Sequence, residues 1–192
     1  MANVDRANGF RPAKSLIGAP WQSLVRFYDA GDRSSDTTNN HGDIYVGDPV
    51  KLDASGGVVP ANSGDTILGV AVAVGKQSST FGETGYFNPD DLGQRYLSFD
   101  EDGVVGVVPA EAALFEAQTA TDLDLDIGDV VDINLTAATA HGDRVTGFSN
   151  VEIVADTNSD VKVVEHVASP DNDISEANAR HLFKFQTTEN SI

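Results

Sequence analysis

The chain has 192 residues, 40% of them hydrophobic, and it carries 12 Lys/Arg against 30 Asp/Glu, for a formal net charge of −18. Such a length and apolar share suit a folded protein with one main core, and the negative charge disfavours phosphate backbones and anionic membrane surfaces, so we expect no nucleic acid and no membrane among its partners. The absence of cysteine excludes disulfides and thiolate chemistry.

The first 33 residues differ in charge from the rest of the chain. They hold five Arg or Lys and three Asp, a net charge of +2, whereas the remaining residues hold seven Arg or Lys and 27 Asp or Glu, a net charge of −20. Pro12 and Pro20 interrupt any helical pattern here, because proline lacks the N–H that a helix needs. The polar run "SSDTTNN" at 34–40 is typical of a linker. The sequence predicts an extended N-terminal arm over residues 1–41 and a separate body over residues 42–192.

The body consists of short β-branched runs separated by turn residues. Glycine, asparagine and aspartate punctuate these runs at 55–57, 102–103 and 158–160. In the run 113–119, "ALFEAQT", the alternation predicts that Glu116 and Gln118 face water. The predicted strands lie within 43–61, 66–75, 95–109, 113–119, 145–168 and 179–186. Many short strands at close spacing predict an all-β fold, a β-barrel or sandwich of jelly-roll or tulip-like type.

One stretch of the body resembles another. Val46–Leu52, "VGDPVKL", is similar to Ile127–Ile133, "IGDVVDI". Glycine adopts positive φ and aspartate bonds to nearby main chain, so both copies predict the same turn leading into a strand. Duplication of a half-barrel is the less favoured interpretation. A shorter echo, "HGD" at 41–43 and at 141–143, predicts a shared turn in the same way.

The most acidic stretch is "TDLDLDIGDVVDI" at 121–133. It imitates a calcium-binding loop, but Ile127 and Ile133 stand where such a loop needs glycine and glutamate. The alternation of leucine and aspartate is typical of an extended segment with one wet face. We therefore expect no metal site there.

Enzymatic motifs are missing from the sequence. The four histidines, His41, His141, His166 and His181, lack the spacing of a helical zinc site, and we expect them on the surface or in loops. No nucleophile elbow, P-loop or dinucleotide fingerprint occurs, so we expect neither a cofactor nor catalysis. A carboxylate enzyme remains an alternative, which would need a pocket holding a carboxyl group with a raised pKa.

The predicted arm combines the residue types that are enriched at the centres of protein interfaces. We expect it to lie on another protein, with aromatic anchors and a basic rim, although a poorly ordered terminus is the plainer alternative. Deleting residues 1–33 should then leave a folded body that no longer binds its partner. The candidate binding residues are Arg6, Gly9, Phe10, Arg11, Pro12, Lys14, Trp21, Arg26, Phe27 and Tyr28.

Six stretches, in order along nearly the whole chain, resemble a family of tailed-bacteriophage proteins. They are "MANVDRANGFRPAKSLIGAP", "IYVGDPVKLDASGG", "ILGVAVAV", "ALFEAQT", "TGFSNVEI" and "SPDNDISEANARHLFKF". The family is that of the capsid decoration, or cement, proteins. The acidic stretch at 122–143 has no counterpart in this resemblance.

The resemblance implies a homotrimeric β-barrel on the outer face of an icosahedral shell. The arm would reach over neighbouring copies of the major capsid protein, with Gly9, Phe10, Arg11 and Pro12 in the contact. The expected location is the outer capsid surface of the virion, after assembly in the host cytoplasm, since no export signal is evident in the sequence. The alternative is a head-fibre or tail-associated module that binds a host glycan, which would favour an exposed aromatic cluster within the body.

Overall fold

The structure is a computed structural model, and it describes residues 3–34, 42–76, 96–136, 140–155 and 157–189. These ranges contain thirteen β-strands and one short 3₁₀ helix, Trp21–Leu24, which confirms the all-β prediction. Over the same ranges, no helix has the length and apolar character that crossing a membrane requires. The strands are β1 (Arg11–Ser15), β2 (Arg26–Asp29), β3 (Ile44–Tyr45), β4 (Pro49–Leu52), β5 (Val58–Pro60), β6 (Gly69–Lys76), β7 (Tyr96–Leu97), β8 (Gly103–Pro109), β9 (Ala113–Gln118), β10 (Val130–Ile133), β11 (Ile153–Val154), β12 (Val161–His166) and β13 (Arg180–Phe185).

Two antiparallel sheets pack in a sandwich-like arrangement. One has the order β2-β8-β6-β4-β5, the other has the order β1-β9-β13-β12-β10-β11, and β3 pairs separately with β7. Isolated parallel bridges join Ala30 to Val58 and Thr119 to Ile153. Each bridge brings the end of β2 or β9 next to β5 or β11, so both sheets curl towards closure.

The two sheets contain the same five-stranded unit. In chain order, β2, β4, β5, β6 and β8 form repeat 1, and β9, β10, β11, β12 and β13 form repeat 2. In both repeats the first strand pairs with the fifth, the fifth with the fourth, the fourth with the second and the second with the third. The parallel bridge then joins the third strand to the chain just after the first. The strand topology therefore matches a duplication, which was the less favoured interpretation of the two similar sequence stretches.

Registers and turns match between the repeats. The ladder between fourth and fifth strands has an irregularity after Ala71 in repeat 1 and after Val163 in repeat 2. Gly47 has φ +101° and Gly128 has φ +107°, and their N–H groups donate to the carbonyls of Ala71 and Val163 at 2.8 and 2.9 Å. The predicted shared turn before a strand is thus confirmed.

The aspartate after each glycine closes the turn in the same way. Asp48 Oδ2 accepts the N–H of Tyr45 at 2.7 Å, and Asp129 Oδ2 accepts that of Asp126 at 2.9 Å. Asp65 makes this bond too, with the N–H of Asn62, so the turn alone is a local motif and the strand order is what establishes the repeat. In the shorter echo, His41 lies outside the described residues.

The core is continuous between the sheets. Phe115, Phe183 and Phe185 of repeat 2 pack with Phe10, whose ring centroid lies 5.0 Å from that of Phe185. Val70 of repeat 1 belongs to the same cluster, whereas its neighbour Ala71 belongs to a second one, because successive strand residues face opposite sides of the sheet. A second cluster fills repeat 1, and it consists of Ile44, Val50, Val58, Leu68, Ala71, Leu97, Val105 and Val107.

The structure does not show the predicted extended N-terminal arm. β1 is the outer strand of the six-stranded sheet, where Arg11 pairs with Glu116, and β2 is the first strand of repeat 1, where Tyr28 pairs with Val105. Phe10 is only 1% exposed. Deleting residues 1–33 would remove two strands and a core phenylalanine, so the deletion is not a clean test of binding. The predicted boundary at residue 41 lies outside the described residues.

Two predictions about polar residues are corrected. Gln118, expected to face water, is buried, because its Nε2 donates to Asp5 Oδ1 at 2.9 Å and to Glu152 Oε1 at 2.7 Å. His181, expected on the surface or in a loop, is buried within β13, whereas His141 lies in a loop, as expected, but is buried as well. Hydrogen bonds to neighbouring polar groups are what allow such side chains inside.

Candidate interaction surface on the N-terminal strands

An open groove of about 500 Å³ lies where the N-terminal segment crosses from repeat 2 to repeat 1. Its lining comes from the N-terminal segment, from the turn before β4, from β6 and from Phe148. The groove is mainly apolar, with Asn8 and Arg11 as its polar members. Its lining residues are Asn8, Phe10, Arg11, Pro12, Trp21, Val46, Gly47, Ala71, Val72 and Phe148.

Local backbone chemistry shapes the N-terminal wall. Gly9 has φ +62°, and a Cβ there would overlap the carbonyl oxygen of Gly47, so only glycine fits this close crossing. The N–H of Phe10 then donates to that carbonyl at 2.9 Å. Further along, the carbonyl of Pro20 accepts both the N–H and the Oγ–H of Ser23, which closes the 3₁₀ turn that starts at Trp21.

Positive charge stands beside the groove. Arg11 lines both the groove and a small polar pocket of about 80 Å³, which Arg6 also lines. Within the described ranges, neither guanidinium donates a hydrogen bond or joins an ion pair. Arg180 in the same pocket is neutralised by Asp171 at 2.8 Å and Glu116 at 3.5 Å. Arg6 and Arg11 therefore give this side of the molecule its available cationic charge.

The other predicted residues are spread more widely. Arg26 lines a second depression with Ile17, while Lys14 forms an exposed ion pair with Glu165 at 2.5 Å. Phe27 is 58% exposed. Tyr28 is half-buried and packs against the core of repeat 1.

Two of the predicted contact residues play a different part from the one expected. Gly9 and Phe10 are buried, so they shape the groove and cannot serve as exposed anchors. The structure brings Arg11, Pro12 and Trp21 together at the surface. These three, and not the full set, form the candidate site.

Sequence reasoning missed Phe148, which is 45% exposed and comes from the connection between β10 and β11. Val46 holds it in place, because the N–H of Val46 donates to Gly147 O at 3.1 Å and its carbonyl accepts the N–H of Ser149 at 2.9 Å. An aromatic residue after glycine in a polar stretch is the only local signal. The contact joins residues about a hundred positions apart, which local patterns do not reveal.

A buried polar network fixes the loop that carries Phe148. Asp43 Oδ2 accepts Arg144 Nε at 2.8 Å and the Tyr45 hydroxyl at 2.9 Å, and Asp48 lies 3.2 Å from His141. Burial and then the bond to Asp43 raise the pKa of Tyr45, and the bond to Asp43 raises the pKa of Arg144. The bonds from Arg144 and Tyr45 to Asp43 fasten β3 to the 140–149 loop.

Four carboxyl groups in the described part of the chain have a lowered pKa. In Asp32, Asp53, Asp171 and Asp173, a hydrogen bond from a serine two residues away is the main cause of the lowered pKa. The alternative, a carboxylate enzyme, would need a carboxyl group with a raised pKa. In the part of the chain that the structure describes, no three His, Asp or Glu side chains are grouped to hold a metal ion.

Comparison of the chain with protein-family models, with curated proteins and with solved structures finds no match in any of the three. The features that bear on function are therefore the groove, the charge distribution and the sequence resemblance.

Proposed function

We propose that this protein is a structural virion protein, a homotrimeric capsid decoration or cement protein. It binds the outside of an icosahedral shell and stabilises that shell by bridging subunits of the major capsid protein. The proposal includes no catalytic activity and no cofactor. The order of the six resembling stretches supports the family, and the groove supports the mode of binding.

The observation that carries the proposal is the grouping of Arg11, Pro12 and Trp21 at one open groove. These three residues belong to the first 33, which have a net charge of +2, whereas the remaining residues carry −20. The complementary partner is a segment with an apolar side chain next to a carboxylate. Covering the exposed half of an aromatic ring of 150–250 Å² contributes roughly 2–3 kcal/mol before ordering costs, and three linked sites raise the avidity further.

Substitutions at the groove are expected to weaken shell binding without unfolding the protein. Trp21→Ala removes the half-buried ring and Arg11→Glu reverses the charge beside it, and each should reduce affinity for undecorated shells by at least about tenfold. The measurement is co-sedimentation of purified protein with shells that lack it. The control is Lys162→Glu, the same charge reversal at an exposed position of β12. Equal binding by all three variants would contradict the proposed surface.

The copy number in purified particles tests the function itself. Quantitative mass spectrometry should find about one copy per major capsid protein, since trimers on three-fold positions match the shell symmetry. A handful of copies per particle would instead favour the head-fibre or tail-associated glycan-binding module. That second candidate draws on one observation, the aromatic rings of Trp21 and Phe148 beside Asn8 in the groove. Absence from the particle would favour an enzyme.

A further inference from the structure

Repeat 2 contains a histidine pair at a position where repeat 1 contains valines. In the ladder between fourth and fifth strands, Val74 pairs with Val105 in repeat 1, and His166 pairs with His181 in repeat 2. Both pairs lie three residues beyond the matching irregularity, so they occupy equivalent places. Because valines fill this position in repeat 1, the fold does not require polar side chains there.

The two imidazoles are hydrogen-bonded to each other. Their Nδ1 atoms lie 2.9 Å apart, with the ring centroids 5.1 Å apart in an edge-on arrangement. His181 is fully buried against Phe183, and its Nε2 has no hydrogen-bond partner within the described residues. His166 is half-buried. Solvent protons can therefore reach the pair through His166.

Charged neighbours point away from the pair. Glu165, which precedes His166, forms an ion pair with Lys14. Arg180, which precedes His181, forms ion pairs with Asp171 and Glu116. Both side chains therefore lie on the opposite face of the sheet from the histidines. From β9, the residue paired with His181 is Ala117. No described carboxylate contacts either ring, so nothing nearby stabilises a second positive charge.

We propose that the His166–His181 pair is an acid-sensitive element that loosens the β12–β13 hairpin of repeat 2 in mildly acidic solution. A hydrogen bond between two Nδ1 atoms requires one donor and one lone pair. One added proton can be shared by the pair, but a second proton leaves two donors and two positive charges facing each other. The bond then breaks, and the hairpin opens to separate and hydrate the rings. This property is independent of what the groove binds.

The direction of the pH effect follows from the burial. Burial, and secondly the charge of His166, lower the pKa of His181 to about 4. In the unfolded chain a histidine titrates near 6.5, so between these values the unfolded state binds more protons and stability falls as the pH falls. The unfolding equilibrium constant should rise roughly 30-fold at pH 5 through this group alone.

The test compares the wild type with His166→Val/His181→Val, which copies the valine pair of repeat 1. Urea unfolding is measured at pH 7.5 and pH 5.0, and the change in the unfolding constant between the two pH values should be at least about tenfold larger in the wild type. Should the double variant fail to fold, His181→Val alone removes the buried histidine whose pKa is lowered, and its pH response should also be smaller. An equal response in wild type and variant would overturn the proposal.

Hydrogen exchange shows where the acid acts. At pH 5.0, after correction for intrinsic rates, the amides of β12 and β13 in the wild type should lose protection, while those of β6 and β8 keep it as the internal reference. Uniform loss across both repeats, or no loss in β12 and β13, would overturn local loosening.

Discussion

Replacing Arg33 by methionine should lower the free energy of unfolding by about 3–5 kcal/mol, one of the largest effects available in this chain. Arg33 is only 2% exposed, and its guanidinium donates to four main-chain carbonyls. These are Gly31 O at 3.2 Å, Gly42 O at 3.2 Å, Leu97 O at 3.4 Å and Glu101 O at 2.6 Å. Methionine fills much of the space but leaves these carbonyls without their donor.

The experiment is urea unfolding followed by circular dichroism at neutral pH. Arg11→Met is the matched control, because Arg11 is exposed and donates no hydrogen bond within the described residues, and it should change stability by less than about 0.5 kcal/mol. Arg33→Lys keeps the charge but cannot reach four acceptors, so it should fall between the two. A loss below 1 kcal/mol for Arg33→Met would contradict the role assigned to Arg33.

Arg33 also shows why the charge of the first 33 residues was only partly informative. Composition counts it with Arg6 and Arg11, yet its side chain is buried against the main chain of loops beside β3 and β7. Burial lowers its pKa, and the nearby carboxylate of Asp43 acts in the opposite direction. Arg33 therefore stabilises the fold through its hydrogen bonds to main-chain carbonyls. The surface charge beside the groove comes from Arg6 and Arg11.

The strands were predictable because their signals are local. The β-branched run that became β6 and the turn at 158–160 before β12 depend only on neighbouring residues, and both were predicted correctly. Whether an extended segment pairs is a different matter. Residues 11–15 look the same in sequence whether they lie along β9 or lie free, and their partner Glu116 is more than a hundred positions away. For this reason the sequence predicted an extended arm that the structure does not show.

The repeat was visible in the sequence only at its turns. Gly-Asp survives in both copies because positive φ and the aspartate bond constrain those two positions chemically. Core positions tolerate many apolar side chains, so Val107 and Phe183 occupy equivalent places without any recognisable identity.

Only part of the candidate site could be predicted from the sequence. Arg11, Pro12 and Trp21 were identified, whereas Phe148 reaches the groove through a long connection.

Alanine at Gly47 should destabilise the protein by about 3 kcal/mol or more, whereas alanine at the equivalent Gly128 should cost roughly 1–2 kcal/mol. Both glycines have positive φ, so both substitutions strain the backbone. At Gly47 the new Cβ would also overlap the carbonyl oxygen of Asn8, while at Gly128 the nearest atom is Lys162 Cε at 4.0 Å. The difference between the two variants therefore measures how tightly the N-terminal segment crosses repeat 1.

The same pair of variants connects the fold to the proposed contact. Gly47→Ala must push residues 8–10 away from the turn, which displaces Phe10 and widens the groove, so it should weaken shell binding under conditions in which the protein is still folded. Gly128→Ala leaves the groove untouched and should bind normally. Urea unfolding and co-sedimentation give the two readouts. Equal losses of stability in both variants would mean that the crossing at Gly47 adjusts easily, and normal binding by Gly47→Ala would mean that the shell contact does not depend on the shape of this groove.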